Sequence, residues 1–177
     1  MSAKNRFQVF MNSVAAVLAL ATVALGELYL YTGIGVWLTV TISCGTACYH
    51  FSMRLLVGYL VPPVKGKAKW FRPKKWEAPL YRFLRVKTWK KHLPTYDPRQ
   101  FSMREHSPEQ IVRNMCGAEV VHEIIIACSF LPLLMVPLFG AFWVFFITSL
   151  LAALVDSLFV MAQRYNRPRL ERIIAKG

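Results

Sequence analysis

Four long apolar stretches, near residues 9–31, 36–61, 117–139 and 141–163, alternate with polar, basic segments. Each holds about the 20 apolar residues that an α-helix needs to cross a bilayer. The first stretch follows Lys4 and Arg6 and contains the small residues Ala24 and Gly26, features shared with a cleavable signal peptide. A second apolar stretch follows almost at once, which favours a retained span. Thr32-Gly33-Ile34-Gly35 reads as a tight uncharged turn, and Pro62-Pro63 ends the second helix. Ser107-Pro108-Glu109-Gln110 supplies a hydroxyl N-cap, a proline in the first turn and Gln three residues after the cap. It predicts a helix from about 108 that becomes apolar near 117 and is kinked or ended by Pro132 and Pro137. The last helix is expected to stop at Gln163, before Arg164-Tyr165-Asn166-Arg167-Pro168-Arg169. The expected fold is thus an all-α membrane protein in one domain. It has four transmembrane helices at 8–31, 36–61, 117–139 and 141–163, an interfacial segment over 62–107 and a tail over 164–177.

Composition supports the class and adds an orientation. Over 177 residues, 55% are hydrophobic and only 18% charged, yet 22 Lys and Arg face 9 Asp and Glu, for a net charge of +13. Fourteen of those basic residues lie between 62 and 115 and five from Arg164 onward, whereas the turns at 32–35 and 138–141 hold none. The positive-inside rule therefore places both termini and the basic middle in the cytoplasm, and the plasma membrane is the expected location. In the middle segment Trp70, Phe71, Trp76, Tyr81, Phe83 and Trp89 are interleaved with Lys and Arg, the mixture expected among lipid head groups. Membrane lipids are the expected partners; no nucleic-acid-binding motif accompanies the basic residues. Cys44, Cys48, Cys116 and Cys128 lack the paired spacing of a structural zinc site, and no metal site is predicted.

Charge inside an apolar stretch is costly unless it is paired or used. Glu119 and His122 are three apart on a predicted helix, share a face, and suit a carboxylate-oriented general base. On an ideal helix Glu123 points about 100° away from His122. At 1.5 Å per residue, His50, His122 and Asp156 each lie roughly 7–15 Å from the cytoplasmic end of their helices. The expected result is one polar pocket in the cytoplasmic leaflet formed by His50, Arg54, Glu119, His122, Glu123, Asp156, Gln163 and Arg164. Helix-packing polarity is the plainer alternative for the same residues.

Several motifs carry a family resemblance. Trp76-Glu77, Tyr81, the run from Val86 through Trp89-Lys90-Lys91-His92-Leu93-Pro94, Cys116, Ala118-Glu119, His122 and finally Gln163 through Leu170 occur in that order. Over about residues 70–170 the chain resembles the glycosyl-4,4'-diaponeurosporenoate acyltransferases, small bacterial membrane enzymes of carotenoid biosynthesis. It departs from their pattern at Gly117, where Arg is usual, and at Glu123, where Trp is usual. The resemblance implies transfer of a fatty acyl chain from a donor, acyl-CoA being the expected co-substrate, to a hydroxyl of a lipid or glycolipid such as a glycosylated carotenoid. No cofactor is implied.

Acyl transfer to a hydroxyl needs a base, stabilisation of the developing oxyanion and a grip on both substrates. His122 is the expected base with Glu119 orienting it. Arg164, Arg167 and Arg169 suit donor phosphates, because guanidinium forks bind phosphate bidentately. Gln163, Asn166, Lys87, Trp89 and Lys90 complete the expected donor-binding set, with His50 and Arg54 either stabilising a carbonyl or pairing with nearby acids. Interface anchoring competes as an explanation for the lysines and Trp89. Cys116 as an acylated nucleophile, a membrane methyltransferase and a non-catalytic lipid-binding subunit are the alternatives.

Overall fold

The computed structural model describes residues 3–64, 66, 68–95 and 97–176, with side chains from Phe7 onward, and among these residues it is helical and turn structure with no strand. Seven α-helices follow in order: α1 (Ala3–Thr32), α2 (Gly35–Leu60), α3 (Glu77–Phe83), α4 (Val86–Trp89), α5 (Pro108–Cys128), α6 (Val136–Phe139) and α7 (Phe142–Ile174). Single 3₁₀ turns occupy Lys69–Phe71, Lys90–His92, Pro98–Phe101 and Leu131–Met135. Among the described residues, three stretches are long and apolar enough to cross a membrane, Phe7–Thr32, Pro108–Phe139 and Phe142–Ile174, and they mark the chain as a membrane protein. The expected second span, α2, is long enough but is not one of these three; Thr39, Thr41, Ser43, Thr46, His50 and Ser52 place polar groups along it.

The chain divides into two compact units, and α5 and α7 contribute to both. The first unit takes the chain up to Gly58 together with Ile125–Leu154. Its helices α1 and α2 approach closely where Gly45 meets Thr22, whose methyl would lie 3.3 Å from a β-carbon added there. Small residues permit such approach where lipid gives no hydrophobic drive for association. Gly33 and Gly140 close α1 and α6 at φ 68° and 70°, a left-handed geometry that glycine adopts without a Cβ clash. Tyr49 donates its hydroxyl to the Cys128 carbonyl at 2.8 Å, and Arg54 donates to the carbonyls of His50 and Ala152 at 2.9 and 3.3 Å.

The second unit takes Tyr59–Ile124 and the chain from Val155 onward. The Ser107 hydroxyl accepts from the Gln110 backbone N–H at 3.3 Å, capping α5 where the sequence predicts. The apolar core includes Phe71, Tyr81, Val86, Ile111, Cys116 and Ala162. α5 ends at Cys128, and the apolar stretch runs on to Phe139 through a 3₁₀ turn and α6 at Pro132 and Pro137, where the sequence predicts a kink or an end. One helix limit differs from expectation. α7 runs past Gln163 to Ile174 with Pro168 inside it, so residues 164–174 are helix and not an irregular tail. Proline removes one i→i−4 bond there, while Arg164 and Arg167 anchor the same turn through their side chains.

Candidate active site

Buried charge concentrates in the second unit. Glu119, on α5 and fully buried, accepts from Arg164 through Oε1 and from Arg167 through Oε2. Arg164 also donates through Nε and Nη2 to Glu77 Oε1, at 3.0 and 2.6 Å. Other donors turn to backbone: Arg164 reaches the carbonyls of Trp70 and Arg72 at 3.4 Å, and Arg167 donates to the carbonyl of Phe71, while the buried Arg167 Nε makes no hydrogen bond and lies 4.0 Å from Glu171 Oε1. Two acids thus meet two guanidinium groups in one neutral quartet that fixes residues 70–77 to α5 and α7. The fork geometry of arginine, with five donors in a plane, suits this multiple pairing. Arg167 also lies 3.8 Å from the Cys116 sulfur.

One step along α5, the imidazole Nδ1 of His122 lies 2.8 Å from Asp156 Oδ1 on α7. Asp156 is 1% exposed and the His122 side chain 22%. An ionised carboxylate can only accept, so where Asp156 carries its charge the shared hydrogen belongs to Nδ1 and Nε2 is left for another partner. Phe159 stacks on the imidazole at 4.6 Å and 8°, fixing the ring plane. As the α5 residues climb from Cys116 through Glu119 to His122, their α7 partners descend from Arg167 through Arg164 to Asp156. The two helices therefore run antiparallel within this unit, and the quartet and the His122 pair are rungs of one ladder.

The expected pairing of Glu119 with His122 is replaced: both Glu119 oxygens serve arginines, and Asp156 holds the imidazole. The expected use of Arg164 and Arg167 on phosphate likewise meets a different arrangement, since both are buried and paired. Glu123 accepts from the Trp70 indole N–H at 2.9 Å, and the Lys74 ammonium sits 4.9 Å from the Trp70 ring. Lys90 donates to Asn166 Oδ1, and Arg169 donates to the Tyr165 hydroxyl at 2.6 Å. The Trp89 indole donates to the Leu84 carbonyl at 2.9 Å, which ties it to the turn between α3 and α4. Lys87 is exposed on α4 and Gln163 half-buried on α7. His50 is buried in the first unit, edge-on to Tyr49 at 5.4 Å, and Arg54 is half-buried in the same unit.

Sequence reasoning gave Glu77 no role beyond the family motif, although it is the sole acid between residues 62 and 96 in a segment dense in Lys and Arg. That isolation was the available signal. Burial and the neighbouring Glu77 carboxylate hold the Tyr81 hydroxyl well above its ordinary pKa of 10.0, up to about 12.

A helical membrane protein with a buried charge ladder and a carboxylate-held histidine is the class that this fold and site define. The chain belongs to the glycosyl-4,4'-diaponeurosporenoate acyltransferase family, which matches residues 67–176. That is an acyltransferase family of carotenoid biosynthesis, and the matched stretch contains every residue of the quartet as well as His122 and Asp156. No curated protein and no solved structure matches the chain.

Proposed function

We propose that the chain is a membrane O-acyltransferase that moves a fatty acyl group from acyl-CoA to a hydroxyl of a lipid or glycolipid such as a glycosylated carotenoid. The observation that carries this reading is the His122 to Asp156 contact inside the family-matched region. His122 Nε2 takes the proton of the acceptor hydroxyl while the hydroxyl oxygen attacks the thioester carbonyl carbon. The new C–O bond forms, the C–S bond breaks, and the thiolate leaves with the proton that His122 has held. Asp156 fixes the tautomer and stabilises the imidazolium, a role for which its burial suits it. Glu119 acts one rung away, holding α5 against α7 through Arg164 and Arg167.

We further propose a fourth span through α2, plasma-membrane residence and cytoplasmic termini. The hydroxyls of Thr39, Thr41, Ser43 and Thr46 donate to carbonyls four residues earlier, at 3.3, 2.8, 2.9 and 2.7 Å. Hydroxyls bonded back in this way expose less polarity than their composition implies. Residues 62–107 act as the interfacial segment, supported by exposed Trp70, Trp76 and Phe83 beside cations such as Lys74.

The test compares lipid extracts of cells expressing wild type or His122→Ala at equal levels. Loss of an acylated lipid or pigment ester in the variant is the expected result. Identical profiles would overturn the assignment of His122 as the base.

A further inference from the structure

Two sets of cations in the second unit contrast. Arg164 and Arg167 are buried and neutralised by Glu77 and Glu119. Lys87, Lys90 and Arg169 are different: among the described residues no carboxylate forms an ion pair with any of them. Lys90 and Arg169 are nevertheless gathered. Lys90 Nζ lies 4.7 Å and the Arg169 guanidinium carbon 3.8 Å from the centre of the same Tyr165 ring. Asn166 and the Tyr165 hydroxyl, both acceptors from α7, hold the two cations in place. Lys87 stands one turn earlier, on α4.

Each cation gains from the ring face, yet the two repel one another and Lys87 adds to the repulsion. The Lys90 ammonium is pushed below its ordinary pKa, first by burial and then by the charges of Arg169 and Lys87. An oriented group of cations that lacks an internal anion is stabilised by an external one. Phosphate fits, because guanidinium and ammonium donors make charge-assisted bonds to its oxygens.

We propose that Lys87, Lys90 and Arg169, set on Tyr165 and Asn166, bind a phosphate group. Two sources carry that chemistry, the phosphates of the acyl donor and the phosphate of an anionic lipid head group. The first source rests on the acyltransferase reading; the second does not.

The experiment uses the full chain purified in detergent, as wild type, Lys90→Gln, the exposed pair Lys87→Gln with Arg169→Gln, and Lys91→Gln as an exposed control. CoA without an acyl group is titrated by calorimetry, and native mass spectrometry counts retained phosphatidylglycerol against phosphatidylcholine. Each lost cation is expected to weaken phosphate binding by about tenfold, the worth of one charge-assisted hydrogen bond. Weaker CoA binding in both test variants with Lys91→Gln intact assigns the donor as the source. Unchanged CoA binding with selective loss of phosphatidylglycerol assigns the lipid. The proposal is overturned if neither ligand responds, or if Lys91→Gln lowers binding as much as Lys90→Gln. The double variant changes only exposed side chains, so its result stands even if Lys90→Gln folds poorly. CoA binding is read without turnover, so His122→Ala that loses acyl transfer while keeping CoA affinity tests the transfer reading alone.

Discussion

The quartet of Glu77, Glu119, Arg164 and Arg167 makes a prediction that separates architecture from chemistry at Glu119. In Glu119→Gln the four-residue group changes from neutral to a net charge of +1. Arg164 keeps Glu77 through two hydrogen bonds at 3.0 and 2.6 Å. Arg167 keeps the Phe71 carbonyl and a carboxylate on Glu171 that is 4.0 Å away and 46% exposed, which compensates little. The loss therefore falls on a buried, nearly uncompensated guanidinium, and breaking a buried pair on one side costs about 3–5 kcal/mol. For a chain of this size that corresponds to a melting point lowered by about 6–20 °C. Arg167→Gln strands the opposite charge and should cost a similar amount. The double variant leaves Glu77 paired with Arg164 and restores neutrality, so its cost should fall below the sum of the singles by about 1–3 kcal/mol. The assay is reversible denaturant titration in mixed micelles, followed by tryptophan fluorescence. Additivity within about 0.5 kcal/mol would refute the reasoning. A Glu119→Gln protein of wild-type stability that has lost acyl transfer would place Glu119 among the reacting groups instead.

Two further outcomes follow from the same geometry. An amide at Asp156 can donate to Nδ1 and turn the imidazole lone pair inward, so Asp156→Asn should lower kcat by about 10²–10⁴-fold. KM for the acyl donor should hold, and steady-state kinetics with labelled acyl-CoA would expose the error if KM moved instead. Tyr81 should make the fold sensitive to alkali: its folded pKa of about 12 lies above the ordinary 10.0, so the folded state retains a proton that the unfolded chain releases. Stability contributed by Tyr81 is then complete below about pH 10 and declines as pH rises towards 12. Tyr81→Phe should flatten that part of the stability profile relative to wild type, and parallel profiles would contradict the assignment.

Local pattern carried the elements further than it carried their partners. Ser107 and Pro108 announce the start of α5 because an N-cap is a contact within four residues, and the structure closes it at 3.3 Å. Gly33 and Gly140 mark helix ends because the left-handed conformation they adopt is a single-residue property. At Pro168 the same local logic misleads. Asn-x-Pro favours a turn in isolation, but the side chains of Arg164 and Arg167 are tied to Glu77, Glu119 and three backbone carbonyls, and the helix persists. Helical spacing also presents Glu119 and His122 as neighbours on one face, and spacing alone makes them a pair. What decides the pairing is charge arriving from elsewhere in the chain: two arginines claim Glu119, and Asp156 is left to take His122.

That division has a mechanical consequence for the proposed chemistry. Glu119 and His122 stand three residues apart on α5, about 4.5 Å along the axis. Arg164 and Asp156 stand eight apart on α7, about 12 Å. A slip of α5 along α7 by a fraction of a turn would break both rungs together, because each is a contact of hydrogen-bond length with little tolerance. The quartet resists that slip with two ion pairs to Glu119 and with the strap of residues 70–77, whose carbonyls and Glu77 bind the same arginines. On the proposed chemistry, the carboxylate that the sequence nominates as a catalytic partner would serve the histidine through the backbone rather than by touching it. Glu77, 42 residues earlier in the chain, holds the same register from the opposite side of Arg164.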